Sequence, residues 1–217
     1  MDWATKREWA LAEHARRAAT PAAEGEREDF RLAGIAGASW AAGLSAMMLG
    51  EPAEAAALLR RAAEEYETSW RAAPVGSWGR PIAMLRCSLI ARDDEGARRG
   101  AEAALAAGAW EAGGPIAGYC AALALLIGGD DAEAGDVARR IADEGLEPVA
   151  VAHALAALAS SDGRGFEAAR REVLRSFEER DAFLEDVPVA DSVLVLDALA
   201  RARGLEASPL SSPLLPA

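Results

Sequence analysis

Four turn signals constrain this chain more than any other feature it carries. Gly-Glu-Pro stands at 50–52, Arg-Asp-Asp at 92–94, Gly-Gly-Asp-Asp at 128–131 and Ser-Asp-Gly at 161–163. After each one, apolar residues restart at the three- and four-residue spacing of an amphipathic helix. Between 52 and 70 the stripe is Ala55, Leu58, Leu59, Ala62, Tyr66 and Trp70, while Arg60, Arg61, Glu64, Glu65 and Glu67 take the opposite face. Pro52 suits a first helical turn, where its missing N–H breaks no bond. Over 165–184 the stripe is Phe166, Ala169, Val173 and Phe177. A final helix is expected over 188–203, burying Val189, Val193, Leu196 and Ala200, with Pro188 in its first turn and Gly204 as its stop. No window alternates with period two between hairpin turns, so the expected class is all-α.

The turns also expose a repeat. Each separates a helix ending in apolar residues from one opening with an acidic residue and alanine. The first core alanines are expected at Ala55, Ala97, Ala134 and Ala168, which are 42, 37 and 34 residues apart. An arginine pair follows each time, at 60–61, 98–99, 139–140 and 170–171. This period and layout resemble tetratricopeptide repeats, most closely over Trp40 to Tyr66. The expected architecture is therefore antiparallel helix pairs stacked as a short tetratricopeptide-like α-solenoid, because one pair alone cannot bury its apolar face. The chain reads as a single domain over 1–217: an N-terminal helix in 1–24, stacked pairs over 26–184, the helix 188–203, and a Pro/Ser/Leu tail, 204–217, packed back on the body. Residues 71–81, with Pro74, Trp78 and Pro81, form the longest connection.

Composition supports the helical reading and narrows the partners. Alanine, the strongest helix former, makes up about a quarter of the 217 residues. The formal charge is −12, a field that repels nucleic acid and anionic membrane and attracts a basic protein. Cys87 and Cys120 sit inside helical patterns without a CxxC, so they read as small core residues in a reducing compartment. The first eight residues lack the apolar core of a signal peptide, and the run Ile116 to Ile127 is too short to span a bilayer. A cytoplasmic location is expected.

Enzyme motifs are thin, and no cofactor or metal is expected. His14 and His153 lack ligand spacing, and the flanking alanines and valines of His153 suggest a packed, hydrogen-bonded ring. Gly37-Ala38-Ser39-Trp40-Ala41 lacks the last glycine of a nucleophile elbow and lies inside a helical stripe. Gly163-Arg164-Gly165-Phe166-Glu167-Ala168 matches a dinucleotide fingerprint only in letters, since no strand precedes it. The carboxylates Glu178, Glu179, Asp181, Glu185, Asp186 and Asp191 could supply oxygen ligands to a hard cation, but calcium-loop spacing is missing. Charge runs at helix ends are usually solvated or act as caps, and the helix dipole stabilises Asp186 or Asp191 without any ligand.

Recognition chemistry is best represented by Trp70, Arg71, Trp78 and Arg80, in and beside the long connection, because Trp and Arg dominate binding hot spots. Asp186 and Asp191 join them as acidic candidates for protein contact. The alternative reading is a tryptophan that seals the joint between helix pairs.

The run Leu184-Glu185-Asp186-Val187-Pro188-Val189-Ala190-Asp191, the helix through Leu199, Arg203-Gly204-Leu205 and the tail Ser211-Ser212-Pro213-Leu214-Leu215-Pro216 resemble the end of the bacterial immunity protein 49 family. The Pro74 to Trp78 loop and the alanine-rich helix pair after it are also similar. The likeness covers about half the chain, and the tail lacks the aromatic residue that the family carries before its Leu-Pro. It implies an all-helical protein that neutralises a toxin by binding it, with no catalytic residues to carry over. The first functional expectation is accordingly a non-catalytic module that binds another protein, such as a basic toxin. A second is a general scaffold holding a peptide or partner helix in a groove lined by Trp40, Leu44, Met47, Met48, Met84 and Tyr119. A third is an enzyme with a carboxylate or metal site near 178–191. Oligomeric state is left open.

Overall fold

The computed structural model describes residues 2–22, 24–25 and 27–217. The expected break between 24 and 26 adjoins residue 26, which with residues 1 and 23 lies outside the described residues. The protein is all-α. Among the described residues are ten α-helices, one 3-10 turn and no strand. In chain order the helices are α1 (Trp3–Ala19), α2 (Glu28–Met48), α3 (Pro52–Ala72), α4 (Gly79–Ile90), α5 (Asp94–Ala106), α6 (Pro115–Gly128), α7 (Asp131–Asp143), α8 (Val149–Ala159), α9 (Gly163–Glu178) and α10 (Asp191–Ala202), with the 3-10 turn at Leu184–Asp186.

All four turn signals fall at helix junctions. Pro52 is the first residue of α3, Asp94 opens α5 and Asp131 opens α7. Asp162 caps α9 by accepting the Gly165 N–H. No helix among the described residues is long and apolar enough to cross a membrane.

Contacts between Cα atoms group the chain into two compact units. Unit 1 comprises Met1–Asp93, Asp181–Val189 and Ser211–Ala217, and unit 2 comprises Asp94–Arg180 and Ala190–Leu210. Within unit 1 each of α1, α2, α3 and α4 packs on the next in sequence, and the 3-10 turn lies on α2. Within unit 2 the same neighbour-to-neighbour order runs from α5 to α9, and α10 lies on α8 and α9.

Small residues set the spacing of these helices. In α2 every residue from Ile35 to Ala46 is buried, and in α6 so is nearly every residue from Ala117 to Leu126, because each is flanked on two sides. Gly43 and Gly118 allow the closest approaches. A Cβ at Gly43 would stand 2.8 Å from Leu59 Cγ, and one at Gly118 would stand 2.2 Å from Ile141 Cγ2. Cys87 and Cys120 are fully buried and outside any disulfide, and burial pushes the Cys120 thiol up to about 12.

Four local expectations are corrected. The 71–81 connection is shorter, because α3 runs to Ala72 and α4 starts at Gly79. Pro188 precedes α10 rather than opening it, although Val189, Val193, Leu196 and Ala200 are all buried as expected. In α9 the core alanine is Ala169, while Ala168 is exposed, so the fourth repeat is out of step by one residue. His153 is exposed on α8, and the buried histidine is His14, whose Nε2 lies 2.8 Å from Glu65 Oε1. Alanine and valine neighbours do not decide which way a helical histidine faces.

Candidate functional site

The start of α2 carries a polar cluster that joins helices of unit 1. Asp29, in the first helical turn, is 3 % exposed, and the helix N-terminus favours a carboxylate there. Arg27 meets it through two parallel bonds, Nε to Oδ1 at 2.9 Å and Nη2 to Oδ2 at 3.0 Å. Arg80, from the first turn of α4, donates Nη2 to Oδ2 at 2.7 Å. Ser69, from the last turns of α3, donates its hydroxyl to the Asp29 carbonyl at 2.7 Å and accepts from Arg80 Nε at 3.2 Å. Three helices thus meet at one buried aspartate, α4 through its carboxylate and α3 through its backbone carbonyl.

Phe30 follows Asp29 and points outward, 56 % exposed. Its ring is flanked by two guanidinium groups, with the Arg27 carbon 4.7 Å and the Arg80 carbon 5.0 Å from the centroid. The ring stays exposed while its two cationic neighbours are held by the buried Asp29 carboxylate. It meets no requirement of the core.

The six residues singled out in the sequence fall in different places. Arg80 belongs to the Asp29 cluster. Trp70 and Arg71 end α3, where Arg71 pairs with Glu67 along the helix at 2.5 Å. Trp78 is the residue before α4, half-buried. Asp186 lies in the 3-10 turn of unit 1, and its backbone carbonyl accepts Lys6 Nζ at 2.6 Å. Asp191 is only 5 % exposed as the first residue of α10, in unit 2. Sequence reasoning missed Arg27, Asp29 and Phe30. The acidic first turn at 28–29 was visible, but its bond to an arginine 51 residues away was not.

The 3-10 turn is a second unusual element. Glu185 and Asp186 both adopt left-handed backbone conformations, φ 49° and 53°, which side chains with a Cβ rarely take. Arg17 holds Glu185 by two bonds of 2.8 and 3.0 Å, and this carboxylate raises the guanidinium further above its ordinary value. Gly37 of α2 leaves room for the pair, since a Cβ there would come within 2.9 Å of Glu185 Oε1. On the other side of Arg17, the hydrogen bonds from Arg16 and Arg17 hold the Glu13 carboxyl down at about 2.

Ser39 lies in the middle of α2, 1 % exposed, and its hydroxyl has no hydrogen-bond partner among the described residues. The Asp162 carboxylate already occupies the α9 N-terminus, where a phosphate would have to sit. Glu185 is engaged by Arg17, and no group of three or more His, Cys, Asp or Glu among the described residues is arranged to hold a metal ion. Of the proposed groove lining, Trp40, Leu44 and Met84 are buried in the core of unit 1.

No family model, curated protein or solved structure matches this chain.

Proposed function

We propose that this chain is a non-catalytic module that binds another protein, and that the partner is basic, as it would be for an immunity protein neutralising a nuclease-like toxin. The observation that carries the binding reading is the exposed Phe30 ring, fixed between Arg27 and Arg80 over the buried Asp29. Aromatic and arginine side chains on a rigid base are the usual hot spots of protein interfaces. The sign of the partner comes from the charge. Unit 2 has 11 arginines against 19 carboxylates, a net of −8, whereas unit 1 has 12 cations against 16 carboxylates. That field draws a basic protein to the chain as a whole and speeds encounter, while the part of the partner that meets Phe30 between Arg27 and Arg80 is expected to be apolar or acidic. The successive packing of helices within each unit favours tetratricopeptide-like stacking as the scaffold.

The test is co-purification of the tagged protein with its partner from native lysate, at low and moderate salt. One dominant basic partner is expected, encoded by an adjacent gene and toxic when expressed alone. Phe30→Ala should weaken binding by about thirtyfold or more, the effect of a hot spot. Raised salt should slow association. An interaction indifferent both to Phe30→Ala and to salt would remove this reading.

A further inference from the structure

After Gly204 no helix continues, and residues 205–210 run as a strap within unit 2. Leu205 and Ala207 are half-buried while Glu206 and Ser208 are exposed, the in-and-out alternation of an extended segment. Two side chains of α9 hold it, and both act on the main chain of one residue. Glu167 Oε1 accepts the Ser208 N–H at 2.5 Å, and Arg170 Nη2 donates to the Ser208 carbonyl. A residue in an antiparallel sheet is held in the same way, through its own N–H and C=O, and such bonds are indifferent to its side chain.

The clamp has supports of its own. Arg170 Nη1 donates to Asp197 of α10 at 2.6 Å, and Glu167 Oε2 stands 3.3 Å from Arg171. The Arg170 guanidinium carbon lies 5.8 Å from the centroid of the Phe166 ring. With the strap in place Arg170 is 2 % exposed, and its Nε is buried without a hydrogen-bond partner among the described residues. The strap therefore covers this cation without satisfying it fully, which counts against the docked arrangement.

We infer that Glu167 and Arg170 form a binding site for the main chain of an extended peptide, which residues 205–210 occupy in cis and a partner's segment takes when the strap lifts. The segment that fits carries the strap's own pattern, a small residue before the clamped one and a leucine three before it, as Leu205 and Ala207 stand to Ser208. Main-chain bonds supply the affinity and the alternate apolar side chains the selectivity. This inference rests on unit 2 alone and does not depend on the reading of Phe30.

Ser208→Pro in the full chain tests it, because it removes the N–H and sets a ring carbon against Glu167 Oε1, so that the strap undocks. The ¹⁵N-labelled variant is titrated with the end-blocked peptide Leu-Glu-Ala-Ser-Pro-Leu, the sequence of 205–210, and followed by amide NMR. Saturable shifts are expected at Glu167, Arg170 and Asp197, with a Kd roughly in the millimolar range or tighter. The wild type should bind the peptide at least about tenfold more weakly, since its own strap competes at high effective concentration. The same peptide with proline in place of its serine should not bind, a control that leaves the protein untouched. Adding Glu167→Ala, at a partly exposed position, should weaken binding about tenfold with the amide spectrum otherwise intact. Absence of saturable shifts in the Ser208→Pro variant, equal binding by the wild type, or equal binding of the proline peptide would each overturn the proposal.

Discussion

Replacing Asp29 with alanine tests the base on which Phe30 stands. The carboxylate is 3 % exposed and accepts from Arg27 and Arg80. Removing one partner of a fully buried pair costs about 3–5 kcal/mol, because the other charge stays desolvated. Arg80 is less extreme. Its side chain is 15 % exposed and keeps the Ser69 hydroxyl, while Arg27 is half exposed and can rehydrate. The expected cost is therefore about 2–3 kcal/mol. Urea unfolding at neutral pH, followed by tryptophan fluorescence, is the assay. Trp3, Trp9, Trp40, Trp70 and Trp78 lie in unit 1 and only Trp110 in unit 2, so the signal follows the unit that holds Asp29. Adding Arg80→Met removes the stranded charge, and the double variant should recover about 1–2 kcal/mol of the loss. A cost under about 0.5 kcal/mol for Asp29→Ala, or strictly additive effects in the double variant, would refute the reasoning.

Other expectations concern packing, thiols and pH. Gly118→Ala forces a methyl to within 2.2 Å of Ile141 Cγ2, so overpacking should outweigh the better helix propensity and destabilise unit 2 by about 1–2 kcal/mol. A thermal midpoint equal to or above wild type would contradict this. Cys87 and Cys120 are fully buried, so a thiol reagent at pH 8 should label neither in the native protein and both after unfolding. The Glu13 carboxyl is depressed in the fold to about 2, so its contribution to stability is complete above the ordinary glutamate range and lost as pH falls from there toward 2. A side-chain NMR titration of Glu13 with a midpoint near the unperturbed value would show that Arg16 and Arg17 do not hold it.

What the sequence determined by itself is local. Helix ends follow from short-range chemistry: Pro52 cannot donate an N–H, Asp162 reaches the Gly165 amide three residues on, and Gly204 adopts the left-handed conformation that stops α10. Buried faces follow from a period that any window reveals, which is why Ala55, Tyr66, Phe166 and Val193 are where the spacing puts them. Tertiary structure decided what lies beyond that reach. An arginine on a helix surface looks the same in sequence whether it is solvated, like Arg171, or buried at 2 % exposure, like its neighbour Arg170 on Asp197. Arg17 and Glu185 are 168 residues apart, and only the packing of the 3-10 turn on α2, with Gly37 making room, brings them together. The same holds for Asp29 and Arg80. Charge pairing depends on which surfaces meet, and residues tens of positions apart carry no periodic signal of that meeting, so the exposed Phe30 and its two guanidinium neighbours emerge only when α2, α3 and α4 are packed.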